Sequence, residues 1–207
     1  SFENLKLAAG VVLLSPFIPL IFMGEEYGEI APFQYFTSHS EPVLIEAVRK
    51  GRRQEFVAFQ WKGDFPDPQD EATFLRSKLN HNLCNEDRHR ALREFYKKLI
   101  GLRRKIPALS CLSKDTTEVL GYEKSGLLYV RRWSENSETI AVFSFSNARP
   151  SVTLPVPEGC WQKQLDSAES QWLGNGSRVP TEFVSDGEIT LSVEPESFVL
   201  FIRLEEA

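Results

Sequence analysis

The sequence predicts an α+β chain whose helical first half gives way to an all-β second half. Three observations predict it. Apolar residues recur at helical spacing up to about residue 105. One short apolar run, Leu20–Met23, stands between Pro19 and Gly24 and reads as a strand buried on both faces. After Ser110 the pattern turns to short alternating runs separated by turn residues.

Ser1 is placed to cap a first helix over Phe2–Leu14, with Leu5, Ala8, Ala9, Val12 and Leu13 at helical spacing. An irregular stretch follows the apolar run, from Glu25 to about Asn82. Ser40-Glu41-Pro42 opens a helix leading into Val43–Lys50. Asp64-Phe65-Pro66-Asp67-Pro68 is a turn-rich break, and Asp70–Leu79 suits another short helix. The clearest helix is Asp87–Lys105. Its stripe is Leu92, Phe95, Tyr96, Leu99 and Leu102. Glu86 and Asp87 at its start and Arg103, Arg104 and Lys105 at its end suit the helix dipole, and Pro107 stops it.

Seven strands are expected beyond it: Thr117–Glu123, Leu127–Trp133, Thr139–Ser146, Ser151–Val156, Cys160–Leu165, Glu188–Val193 and Ser197–Leu204. Turn signals at Ser125-Gly126, Asn136-Ser137, Pro157-Glu158-Gly159 and Asp186-Gly187 separate them, which suggests an antiparallel sandwich.

The 207 residues are 42% hydrophobic and 26% charged, an ordinary globular composition. The net charge of −5 argues against a nucleic-acid partner, which usually meets a basic surface. Residues 1–109 hold 16 Lys+Arg against 14 Asp+Glu, and residues 110–207 hold 8 against 15, so the charge changes sign where the texture does. Cys84, Cys111 and Cys160 are odd in number and widely spaced, so reduced thiols of a cytoplasmic protein are expected, and no metal or cofactor. No residue from Leu7 to Gly24 is charged, but Pro16 and Pro19 break the run, so no membrane span is expected, and Glu3 before it with no small-residue cleavage site after it speaks against a signal peptide.

A strand buried on both faces needs neighbours on both sides, and the first half offers none. The absence of an initial Met agrees with the expectation that the chain is the C-terminal part of something longer.

Several groups invite chemistry. Glu25 and Glu26 directly follow the apolar run, where residues past strand ends face the site in barrels and open α/β sheets. Neighbours on an extended chain point opposite ways, so the two are poor candidates for a glycosidase acid and nucleophile together. They read either as one site acid or as ordinary loop acids. The aromatic loop Ala31–His39 reads as a sugar-stacking wall or as an aromatic plug. Gly51-Arg52-Arg53-Gln54-Glu55-Phe56 reads as an anion contact or as surface salt bridging. Trp133, Trp161 and Trp172 read as a sugar platform or as packing. Among the histidines only His39 falls in a plausible site loop, and His89 is expected on the surface of its helix.

Ser15–Gly28, SPFIPLIFMGEEYG, resembles the last barrel strand of the α-amylase superfamily. The continuation is more specific: Pro32–His39, Glu41-Pro42, Ala47–Phe56, Pro66–Asp70, Thr73-Phe74 and Ser77–Leu79 resemble the malto-oligosyltrehalose trehalohydrolases of that superfamily. The similarity covers residues 1 to about 110 well and the β half only in kind.

The resemblance implies that residues 1–110 are the C-terminal end of a (β/α)8 barrel, its last strand and flanking helices, and that 111–207 are a C-terminal β-sandwich. It implies a retaining glycoside hydrolase that cleaves the α-1,4 bond next to the trehalose end of maltooligosyl trehalose. The catalytic carboxylates would lie upstream of Ser1, so no catalytic residue is carried over and the chain alone is expected to be inactive. Its partners would be the α-glucan substrate and the upstream barrel of the same polypeptide. Glu25 and Glu26 match the family's acidic pair. Phe33, Tyr35, Phe36 and His39 match its aromatic segment, and Arg52, Arg53 and Phe56 its Gly-Arg-x-x-Glu-Phe segment. Two rivals remain: another α-glucan enzyme such as a branching enzyme, and a non-catalytic carbohydrate-binding or scaffold module.

Overall fold

The computed structural model describes residues 1–58 and 65–204, of which Val57 and Ala58 are described by backbone alone. Asp64, at the head of the predicted turn-rich break, lies outside the described residues. The chain forms two compact units, described separately: Ser1–Gly28 with the chain from Cys84 onward, and Glu29–Leu83.

In the first unit α1 spans Phe2–Leu14, and the Asn4 amide donates to Ser1 Oγ at 3.2 Å, as the cap predicts. Its buried face is rotated from the expected one. Lys6, Leu7, Ala9, Gly10, Leu13 and Leu14 are buried, whereas Leu5 and Ala8 are exposed. The helix is apolar on most sides, so periodicity alone did not select one face. Gly10 is there for proximity: an added Cβ would lie 2.3 Å from the Phe198 ring.

The doubly buried strand is not formed. Leu20 is 91% exposed, and Phe22 and Met23 are 55% exposed; only Ile21 packs against the core. A central strand depends on hydrogen-bonded neighbours, and among the described residues no strand pairs with 20–23.

Helix α4 spans Asp87–Lys105 and buries the whole predicted stripe, with Arg103 beside it. Pro107 does end α4, but it also opens a further single turn, α5, Pro107–Ser110, where a missing N–H costs nothing.

Among the described residues the β half has six strands where seven were expected: β1 Thr117–Tyr122, β2 Leu127–Ser134, β3 Ser137–Ser144, β4 Ser151–Asp166, β5 Glu182–Ser192 and β6 Ser197–Arg203. They form one antiparallel sheet in the order β1-β2-β3-β6-β4-β5. Two predicted strands are fused in β4. The expected turn at Pro157-Glu158-Gly159 is instead a bulge, with the register shifting between Val156 and Gly159. The long strand lets one sheet curl and fill its own concavity. Tyr129, Ile140, Val142, Val199 and Phe201 pack there against Leu154, Val156, Trp161 and Leu191. Alternate residues face the helices: Ala141, Phe143, Phe198 and Leu200 join Leu13, Phe95 and Leu99 in a second core.

The second unit holds α2, Pro42–Ala58, and α3, Glu71–Arg76. Helix α2 runs past the expected end at Lys50, because Gly51 is tolerated inside it and the i,i+3 pairs Glu46–Arg49 and Arg52–Glu55 lie along it. Asp70 caps α3 by accepting from the Ala72 amide at 2.9 Å. The loop before α2 is fixed by local bonds. The Thr37 amide donates to Pro68 O at 2.7 Å, and the Gln69 side chain brackets the His39 backbone, donating to its carbonyl at 2.8 Å and accepting from its amide at 3.2 Å.

Candidate functional site

The acidic pair sits in the first unit. Gly24 and Gly28, both left-handed with φ 82° and 70°, bracket a single 3-10 turn, Glu25–Tyr27. Glu25 Oε2 accepts from the Phe22 amide at 3.0 Å, and its Oε1 accepts from Tyr96 Oη of α4 at 2.7 Å. Burial, reinforced by Glu25 and then Glu26, raises the Tyr96 phenol above its ordinary range and keeps it a donor. The far end of the turn is pinned as well: His89 Nδ1 donates to Tyr27 O at 2.7 Å. His89 is therefore half-buried and bonded, not the surface residue expected. Glu26 is half-buried, and among the described residues its carboxylate has no hydrogen-bond partner. The two acids thus differ: Glu25 holds the turn, and Glu26 is left for another group.

The other candidates lie in the second unit. The Arg52 guanidinium lies over two rings, 4.8 Å from the Tyr35 centroid and 5.0 Å from that of Phe56, and pairs with Glu55. Phe36 meets Phe33 and Phe74 edge-on, with centroids at 6.5 and 5.1 Å. Phe56 packs on Phe65 at 4.8 Å. Phe33, Tyr35 and Phe36 remain 57%, 45% and 38% exposed, so these rings form a surface and are not sealed beneath the loop. His39 is half-buried and fixed through its backbone, while Arg53 is exposed.

Sequence reading missed three positioning residues: Tyr96, His89 and Arg49. Arg49 bonds Asp67 at 2.7 Å and Glu46 at 2.6 Å, which holds the Asp67 carboxyl below its usual range. Only the Glu46–Arg49 half had a sequence signal, the i,i+3 spacing.

The tryptophans of the β half divide. Trp161 is fully buried, donates Nε1 to Pro157 O at 3.0 Å and stacks on Phe183. Trp172 meets Phe95 edge-on at 5.2 Å, and Trp133 lies half-buried under the Arg131 guanidinium. Cys84, Cys111 and Cys160 are free thiols. Among the described residues no helix is long and apolar enough to cross a membrane.

No family model matches the chain. A solved structure from Salmonella typhimurium, provisionally named an alpha amylase, shares its fold with a TM-score of 0.73 at 30% identity. That match covers 98% of this chain and 31% of the other. An Anoxybacillus alpha-amylase gives 0.59 at 20% identity, over 99% and 33%. The fold is that of part of an α-amylase-family protein.

Curated relatives narrow the class. Malto-oligosyltrehalose trehalohydrolases from Brevibacterium helvolum and Rhizobium sp. (strain M-11) are each 46% identical. The matches extend over 132 and 157 residues, 63% and 74% of this chain. That of Saccharolobus solfataricus is 46% identical over 116 residues, 56% of this chain. The chain is a relative of the malto-oligosyltrehalose trehalohydrolases, as the resemblance of residues 15–79 implied. It matches 22%, 26% and 18% of the length of these three, about a fifth to a quarter.

Proposed function

We propose that the chain is the C-terminal portion of a retaining glycoside hydrolase that releases trehalose from maltooligosyl trehalose. The observation that carries this reading is that seven curated relatives, 43–50% identical, bear that one enzyme name. In this reading residues 1–110 complete a (β/α)8 barrel, residues 111–207 are its C-terminal β domain, and the enzyme works in the cytoplasm. Leu20–Met23 would pair as the last barrel strand. A retaining mechanism needs two carboxyl groups about 5–5.5 Å apart across the bond, and these would come from upstream strands.

Each of the two units would offer its own groups to the substrate. Glu26, with its carboxylate unpartnered among the described residues, would accept from a sugar hydroxyl. Phe33, Tyr35 and Phe36 offer ring faces and edges, and Arg52 is held rigid between Tyr35 and Phe56. Glu25 fixes the turn that carries Glu26.

The test is trehalose release from maltotriosyl trehalose by the full-length protein, with this chain as control. Release by the full-length protein alone supports the reading. Hydrolysis or transfer on plain maltodextrin without trehalose release overturns it in favour of another α-glucan enzyme. Release by this chain alone overturns the upstream placement of the catalytic carboxylates.

A further inference from the structure

At the end of the curled sheet a recess of about 570 Å³ opens between the β2–β3 hairpin and the end of β6. It is walled by Arg131, Trp133, Asn136, Glu138 and Arg203, with the Ser134 and Ser137 backbone turning between them. Pairing explains why these side chains meet. Trp133 stands opposite Glu138 across β2 and β3, and Arg203 stands opposite Trp161 across β6 and β4. They form one cross-strand row on the concave face, above the buried Tyr129 and Ile140.

The row is held before any ligand arrives. Glu138 accepts from Arg131 Nε at 2.5 Å through one oxygen and from Arg203 Nη1 at 3.1 Å through the other. Its side chain is only 11% exposed. The Arg131 guanidinium lies 4.9 Å over the Trp133 indole and pairs with Glu118 at 3.5 Å. Gly159 of the β4 bulge leaves room for Arg203, because a Cβ there would lie 2.8 Å from Nε. An ion triad this sheltered is weak evidence for stability, since apolar replacements of similar volume often do as well. Its place beside an open recess suits recognition better.

The lining selects among ligands. A carboxylate between the two guanidiniums, with Glu135 beside it, makes the recess a poor cradle for a free anion. What remains is an indole flanked by spare N–H donors of two arginines, the Asn136 amide and the acceptors of Glu135 and Glu138. Alternating donors and acceptors around an aromatic wall complement a ring with hydroxyls on its rim and C–H groups on its face.

We propose that this recess binds a neutral oligosaccharide, specifically a stretch of α-1,4-glucan. The choice of α-1,4-glucan among neutral oligosaccharides rests on the proposed function; the site itself rests on its lining. The test is electrophoresis of the full-length protein through gels with and without amylose, for the wild type, Trp133→Ala and Asn136→Ala. The wild type is expected to be retarded, and Trp133→Ala to weaken retention by roughly two- to tenfold, the worth of one aromatic contact. Asn136→Ala is expected to weaken it in the same direction with an unchanged melting temperature, which separates lost contact from lost fold.

Equal retention of wild type and both variants overturns the proposal. So does no retention of the wild type. Retention abolished by inorganic phosphate yet indifferent to Trp133→Ala also overturns it, by revealing an anion site. Trehalose release from maltotriosyl trehalose is measured on the same preparations. Its absence counts against the proposed function, whereas the gel result reads the recess directly.

Discussion

Arg103 of α4 and Arg132 of β2 donate to one main-chain carbonyl, that of Ser15, at 2.7 and 3.1 Å. Arg103 also reaches Leu13 O and Phe17 O, both at 2.5 Å, and Arg132 reaches Leu14 O at 2.8 Å and Cys111 O. Two guanidiniums thus satisfy carbonyls that the end of α1 leaves without intrahelical partners. Burial is the larger cause, and the neighbouring Arg103 charge the next, that pushes Arg132 down to about 10, still cationic at neutral pH.

Removing one of these arginines strands buried carbonyls. Arg132→Met is expected to destabilise the protein by about 2–4 kcal/mol, the cost of leaving several buried acceptors unmade. Arg132→Lys should recover only part of this, because an ammonium cannot span Leu14 O and Cys111 O as a planar fork does. Urea denaturation of the three proteins checks both. A loss below about 0.5 kcal/mol for Arg132→Met would mean that water replaces the guanidinium.

At Gly10 α1 packs directly against the sheet. A Cβ there would lie 2.3 Å from Phe198 Cε1 and 2.7 Å from both Cδ1 and Cζ. Phe198 is itself clamped, with ring centroids 5.3 Å from Phe143 and 5.9 Å from Phe95, so it has nowhere to retreat. Gly10→Ala should therefore destabilise by about 1–3 kcal/mol from overpacking, although Ala is the better helix former by roughly 1 kcal/mol. Thermal melts decide the sign, and a stabilised variant would show that the two elements can separate at little cost.

The helices were legible because each carried its own local signal. Ser1 caps α1, and α4 wears a single apolar stripe between an acidic start and a basic end. What failed was whatever depended on distant partners. Lys6 lies outside the apolar face expected for α1, yet it is fully buried: its ammonium donates to Ser167 O at 2.6 Å and Trp172 O at 2.9 Å, more than 160 positions away. Leu20–Met23 has the composition of a buried strand, but composition supplies no neighbour to pair with. Gly159 reads as a turn residue, and the pairing of β4 with β5 makes it a bulge. In the candidate site, residue types were legible and their division of labour was not. Nothing adjacent to Glu25 in sequence says that a tyrosine 71 positions on will hold it.

Asp166 should give stability a measurable pH dependence. It is buried at the end of β4, and burial outweighs the help of Ser177, the Ala168 amide and Lys163, so its pKa is raised. Lys6 from α1 and Glu169 from the following turn complete its charged surroundings. A carboxyl whose folded pKa exceeds its unfolded value holds its proton more tightly when folded. Its contribution favours folding at low pH and is lost as pH rises from the ordinary carboxyl range through the raised value. Asp166→Asn, which keeps the Oδ1 acceptor for the Ala168 amide, should flatten that part of the stability–pH profile. Denaturation midpoints measured from pH 4 to 8 would show it, and parallel profiles for the two proteins would mean the carboxylate is solvated.

The Tyr96–Glu25 bond separates two roles that adjacent identical residues would otherwise blur. Tyr96→Phe removes the donor at 2.7 Å from a carboxylate oxygen while keeping the ring that packs in the α1–α4 core. Its cost should be about 1.5–3 kcal/mol, the range for a hydrogen bond to a charged group. Glu26 has no such bond, so Glu26→Gln should change stability by less than about 0.5 kcal/mol, as surface substitutions do. On the proposed function, Glu26→Gln in the full-length protein is expected to raise KM for maltotriosyl trehalose with little change in kcat, the signature of a lost ground-state contact. Glu25→Gln should instead lower the melting temperature, since Gln cannot offer both the Tyr96 hydroxyl and the Phe22 amide an anionic acceptor. Equal thermal shifts for Glu25→Gln and Glu26→Gln, with neither moving KM, would collapse the distinction and leave both acids as turn residues.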